Sequence, residues 1–117
     1  MAGGKRIKLL PPTMREKFRY ITFKIEGWDG SSSFEEFSSA FSREFERLFG
    51  SITLGVANPV MLRENFNPEN GTGIIRVERS HTDRVRAVFA ASRFGNAYIR
   101  SLRVSGSIRK AKMAMEE

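Results

Sequence analysis

From Leu10 to Ile25 the chain reads LPPTMREKFRYITFKI. The second half of this stretch alternates. Ile21, Phe23 and Ile25 fall on one side and Tyr20, Thr22 and Lys24 on the other, the period of a half-buried strand. The first half cannot belong to that strand. Pro11 and Pro12 lack amide donors and hold the chain extended. A basic, proline-broken leader therefore feeds what reads as a core strand.

Beyond this strand the period changes from two to about 3.6 and back. Gly27–Ser33, GWDGSSS, is turn chemistry. In the stretch that follows, Phe34, Phe37, Phe41, Phe45 and Leu48 recur every three or four residues and form one apolar helix stripe. Ser33 with Glu36 makes a capping box, and Gly50 suits the position just past the helix end. Residues 50–59 leave helix and strand open. Val60 to Phe66 reads as extended, Asn67–Gly73 as a turn rich in Asn, Pro and Gly, and GIIRVER as a strand, so residues 60–79 form a hairpin. A second helix follows, with Ser80 and Asp83 resembling a capping box. Val85, Val88, Phe89 and Ser92 share its inner side, and Gly95 ends it. Ala97–Gly106 is the last strand. The terminal SIRKAKMAMEE reads as a short helix with Ile108, Ala111 and Met115 on one side.

This order, strand–helix–strand–strand–helix–strand, is the ferredoxin-like split βαβ pattern of the α+β class. It predicts a four-stranded antiparallel sheet, two helices on one face, and an extra C-terminal helix. The second face stays open unless a tail or partner covers it. Residues 1–17 read as a basic flexible arm and residues 18–117 as a single domain.

Composition narrows the function. The chain has 117 residues, enough for one domain with a core of its own. It contains no Cys and one His, which excludes a disulfide framework, a thiolate metal site and a His-rich metal site. No secretory signal and no apolar run of membrane-spanning length is evident, so a soluble, cytoplasmic protein is expected. The net charge is +7 and the pI about 10.4, in the range of nucleic-acid binders. The charge is segregated. Residues 1–19 carry a net +5, residues 20–75 a net −4 and residues 76–112 a net +8. Two basic segments flank an acidic middle, which suits one face for a polyanion and another for a different partner.

The candidate binding residues are basic. Arg15, Lys17 and Arg19 surround the entry to the first strand. Arg76 and Arg79 follow the hairpin, with Arg84 and Arg86 close behind. Arg100, Arg103, Arg109, Lys110 and Lys112 run from the last strand into the terminal helix, where Arg109 and Lys112 share a side. Lys and Arg need only charge and reach to contact phosphates. RNA-recognition motifs share this topology and display aromatics on the third strand; GTGIIRVE has none. Tyr20, on the outward side of the first strand, is the one candidate for base stacking. The serines before the first helix are read as a cap and not a phosphate site, because Glu35 and Glu36 follow at once. His81 lacks a neighbouring Cys, Ser or Asp in a triad-like order and is not read as a catalytic base. No catalytic residue, metal ligand or cofactor of this chain is expected.

Three stretches, LPPTMREKFRYITFKI, NGTGIIRVER and IRSLRVSGSIRKAK, together resemble the archaeal protein component 2 of ribonuclease P and its eukaryotic relatives. The resemblance runs from Leu10 to about Lys112. It implies a ferredoxin-like fold and a role in a holoenzyme that removes the 5′ leader of precursor tRNA. The catalyst there is the RNA subunit, which uses Mg2+. It also implies binding to that RNA and to a TIM-barrel-like protein subunit, often as a dimer of heterodimers, with precursor tRNA contacted only indirectly. The leader's prolines would then keep Arg15, Lys17 and Arg19 laid along RNA, and the added positive charge would let the RNA fold and work at lower Mg2+. Two rivals stand beside this: a protein-interaction scaffold using the acidic middle and the open sheet face, and a small phosphate-handling hydrolase of ferredoxin-like fold. The hydrolase would need an anion loop after the first strand, where EGWDGSSS carries acids.

Overall fold

The computed structural model describes residues 17–116. Arg15 and most of the basic arm lie outside the described residues. Four strands, β1 (Phe18–Glu26), β2 (Val60–Met61), β3 (Thr72–Glu78) and β4 (Tyr98–Ser105), form one antiparallel sheet in the order β2-β3-β1-β4. Helices are α1 (Phe34–Phe49), α2 (Ser51–Ala57), α3 (Thr82–Ala91) and α4 (Ile108–Met115). The order and the sheet are the ferredoxin-like arrangement expected from the sequence.

The β1 alternation sets the two layers. Ile21, Phe23 and Ile25 are at most 1% exposed and pack with Phe37, Phe41 and Phe45 of α1 and Val85, Val88 and Phe89 of α3. The Phe23 ring lies 6.2 Å from Phe37 and 6.0 Å from Phe89. Burying each such side chain contributes roughly 1.5–3 kcal/mol, so this phenylalanine stripe is the main reason α1 docks. Gly73 makes room for it: a Cβ there would lie 2.7 Å from the Phe23 ring and 3.1 Å from Phe66.

α1 begins as its sequence dictates. The Glu36 N–H donates to Ser33 Oγ at 3.1 Å, and the Ser33 N–H donates back to Glu36 Oε1 at 2.9 Å. At its end Gly50 has φ 90° and its N–H donates to Glu46 O. The chain then continues directly into α2, which settles residues 51–57 as helix.

Four local expectations change. Residues 60–66 are not all extended: only Val60–Met61 pair with β3, and Arg63–Asn65 coil into a 3-10 turn. That turn seats Phe66 against Trp28 and Phe34, each 5.6 Å away. Ser80 and Asp83 do not make the capping box. Glu78 accepts the Ser80 N–H at 2.9 Å, capping a 3-10 turn (Arg79–His81) that leads into α3. α3 stops at Ala91, and Gly95, φ 68°, turns the loop that follows. In α4 the buried pair is Ala111 and Ala114, while Ile108 is 40% exposed.

The second sheet face is not left open. α4 lies across β1, β4 and β3. The Thr22 hydroxyl, fully buried, donates to Ala111 O at 2.8 Å, and Ile74, Ala111 and Ala114 close a small apolar layer around it.

Candidate nucleic-acid interface

Residues directly opposite one another in an antiparallel pair share a face. The register therefore assigns the α4 face row by row. Glu78 stands opposite Phe18. Arg76 and Ser105 flank Tyr20, with Val60 beyond Arg76. Ile74 and Arg103 flank Thr22, and Thr72 and Arg100 flank Lys24. Arg100 and Arg103 are an odd number apart and would oppose each other in a regular strand. The register shift between Thr22 and Phe23 lets β4 carry one extra residue, and this bulge brings both onto the α4 face.

Seven cations collect there. Lys24, Arg76, Arg100 and Arg103 lie on the sheet, and Arg109, Lys110 and Lys112 are exposed on α4. Lys24 was not among the candidates from the sequence, although its alternation with Tyr20 and Thr22 already put it on this side. Arg100 Nε is held by Glu26 Oε2 at 2.8 Å, which fixes the guanidinium at the rim. The Arg76 guanidinium lies over the Phe18 ring at 4.7 Å, a cation–π contact. Arg79 is exposed on the turn after β3, and Lys17 is exposed before β1. Arg19 is not on this face. It stands opposite Val77 on the helix side of the sheet, and its Nη1 donates to Phe18 O at 2.9 Å.

The acidic middle lies elsewhere. Glu35, Glu36, Glu44 and Glu46 are on α1, on the other side of the sheet. Glu44 is tied down by two partners. Arg47 binds it at 2.8 Å and the Ser92 hydroxyl donates to it at 2.9 Å. Arg47 first, then Ser92, hold its carboxyl below the ordinary value. Past the end of β1, a cleft of about 570 Å3 lies where a phosphate-handling hydrolase would place its anion loop. It is lined by Asp29, Glu36 and Glu44 against Arg43 and Arg93, over Trp28, Phe37 and Phe94. Three carboxylates facing two guanidiniums disfavour an anion.

His81 does have polar neighbours, contrary to the sequence reading. Its Nδ1 lies 2.8 Å from Glu78 Oε1 and 3.3 Å from Ser80 Oγ, and Ser80 Oγ also bonds Glu78. Both partners use the same ring nitrogen. A nucleophile–base–acid relay needs the hydroxyl and the carboxylate on different nitrogens, so the cluster works as a cap on the 3-10 turn. Among the described residues, no three His, Cys, Asp or Glu side chains come together to hold a metal. No described helix is long and apolar enough to cross a membrane.

Residues 19–116 match the model of the Rpp14/Pop5 family. The ribonuclease P protein component 2 of Pyrococcus abyssi is 34% identical over 92% of this chain and 91% of its own length. The protein of the same name from Methanocaldococcus jannaschii is 36% identical over 92% of this chain and 78% of its own. In structure, a chain of the yeast ribonuclease MRP complex covers 86% of this chain and 87% of that one, with a TM-score of 0.62 at 13% identity. That last likeness bears on the fold. The family match and the curated relatives together establish that this chain belongs to the Rpp14/Pop5 family.

Proposed function

We propose that the chain is a protein subunit of ribonuclease P that lays its α4 face on the catalytic RNA and supports removal of the 5′ leader from precursor tRNA. The observation that carries this is the gathering of Lys24, Arg76, Arg100, Arg103, Arg109, Lys110 and Lys112 on one face, in a member of a family whose curated relatives are named ribonuclease P component 2. Phosphates are contacted by such cations without base reading. They replace counterions along folded RNA, and this lowers the Mg2+ the RNA needs. In this proposal the RNA does the chemistry and uses the Mg2+, and the chain supplies no catalytic group. Precursor tRNA is contacted indirectly, and the setting is the cytoplasm.

A protein partner takes another surface. Ile52 and Val56 stand one turn apart on α2, 83% and 59% exposed, and Leu48 near the end of α1 is exposed as well. Exposed apolar groups of this kind mark contact sites when they cluster, and the TIM-barrel-like subunit, in a heterodimer or a dimer of heterodimers, is the partner proposed. This places the scaffold rival inside the main proposal.

The test is the salt dependence of binding between the full chain and its ribonuclease P RNA. Each phosphate contact removed flattens the plot of log affinity against log salt by about 0.7–0.9. Replacing Arg109, Lys110 and Lys112 together by Ala is expected to lower the slope by roughly 2 to 3. An unchanged slope removes α4 from the interface, and no binding by the unaltered chain removes the RNA role.

A further inference from the structure

Two buried polar atoms on the α4 face have no hydrogen-bond partner among the described residues, Arg76 Nε and Ser105 Oγ. Ser105 is 5% exposed. Such atoms are rare in folded proteins because each costs the free energy of the water it gave up. These two are not scattered. They flank Tyr20 in one row across three strands, Arg76 on β3, Tyr20 on β1 and Ser105 on β4. α4 covers the next row, at Thr22. Phe18, two residues before Tyr20 on the same face, carries the Arg76 guanidinium on its ring.

We infer that this row opens to seat a single unpaired nucleotide of the RNA, its base stacked on Tyr20 and its polar groups bonded to Arg76 Nε–H and the Ser105 hydroxyl once the side chains that cover those two atoms move aside. The inference rests on the proposed RNA-binding function and assigns it a defined subsite. The row spans two strand spacings, about 10 Å, which is the width of a nucleoside. An oxygen of base or ribose accepts from Arg76 Nε, a donor only. The Ser105 hydroxyl donates or accepts, so it fits a ribose 2′-hydroxyl or a base edge. Stacking requires a base out of its helix, which directs the site to a loop or bulge and not to duplex. The aromatic contact that the third strand lacks is thereby supplied from β1, at the middle of the sheet. The Phe18–Arg76 pair holds the guanidinium plane in place before the RNA arrives, so little order is lost on binding.

The experiment measures binding of the full chain to its ribonuclease P RNA, with nucleotide-resolution chemical probing of the RNA. Tyr20→Leu is expected to weaken binding roughly 5- to 150-fold, the range for losing one stacked base. The salt slope should stay the same, because no phosphate contact is lost. One unpaired nucleotide protected by the unaltered chain should become reactive, and Tyr20→Phe should recover most of both effects. Ser105→Ala and Arg76→Lys should each expose the same nucleotide. They also carry the test should Tyr20→Leu fail to fold, which thermal melting would reveal. The subsite is overturned if Tyr20→Leu folds and protects the RNA like the unaltered chain. It is overturned equally if these variants lower only stability or only binding to the protein partner. In those cases a flattened slope from the Arg109, Lys110 and Lys112 replacement would leave the RNA-binding proposal standing. Failure of the unaltered chain to bind RNA would end both.

Discussion

Thr22 and Tyr20 stand two residues apart on one face of β1 and meet different fates. Thr22 is buried under α4 and bonded to it, whereas Tyr20 lies between two polar atoms that nothing in the described chain satisfies. Both were on one side in the sequence by simple alternation. What the alternation cannot state is which of them a distant helix will cover. Glu78 shows the same limit. It lies near the end of a strand in the sequence, which says nothing of its partners, yet Ser80 and then His81 hold its carboxyl down to about 2 from 4.5. A carboxylate with a lowered folded-state value stabilises the fold above its unfolded value and loses that contribution as pH falls through the folded one. Glu78 should therefore add to stability above about pH 4.5 and lose its effect between there and about pH 2. Urea unfolding across that range should show a shallower acid decline for Glu78→Gln than for the unaltered chain. Equal declines would mean that the cap does not outlast solvent screening at this half-buried site.

Among the elements, those with a strong internal period were legible and those fixed by distant partners were not. α1 carries its cap, its stripe and its stop within one continuous run, so its limits follow from Ser33, Phe37 and Gly50 alone. The 3-10 turn at Arg63–Asn65 exists because Phe66 packs on Trp28 and Phe34, residues far away in the chain. α4 was expected as a helix, but its docking on the second sheet face depends on the Thr22–Ala111 bond and on two alanines small enough to sit against Ile74. The bond's contribution is testable. Thr22→Val keeps the side-chain shape and removes the donor, a loss of about 0.5–1.5 kcal/mol for a hydrogen bond of this kind. Hydrogen exchange in α4 should quicken more than in α1 or α3. Unaltered protection of α4 would show that the alanine packing alone holds it.

Across the whole molecule the charge segregation of the sequence becomes a segregation of surfaces. Six of the ten cations in residues 76–112 build the α4 face, and the acidic middle forms α1 behind the sheet, where Arg84 and Arg86 of α3 and Arg93 beside the cleft also lie. This much was visible in the running charge. The exclusion of Arg19 from the basic face and the arrival of Arg103 through the β4 bulge were not, because strand parity and one extra residue decide them. The two-surface arrangement predicts that functions separate. Ile52→Glu, on the exposed apolar side of α2, should weaken association with the partner protein at least tenfold and leave RNA affinity within about twofold, since one buried apolar side chain contributes roughly 1.5–3 kcal/mol. A matched loss of RNA binding would join the two surfaces into one.

The most direct measurement is cleavage of precursor tRNA at limiting Mg2+ by the ribonuclease P RNA alone, with the barrel-like partner protein, and with that partner and this chain together. Activity that appears or rises sharply only when this chain joins, and that falls again with the Arg109, Lys110 and Lys112 replacement, is the predicted result. A folded chain that adds nothing to cleavage under these conditions would contradict its place in the holoenzyme.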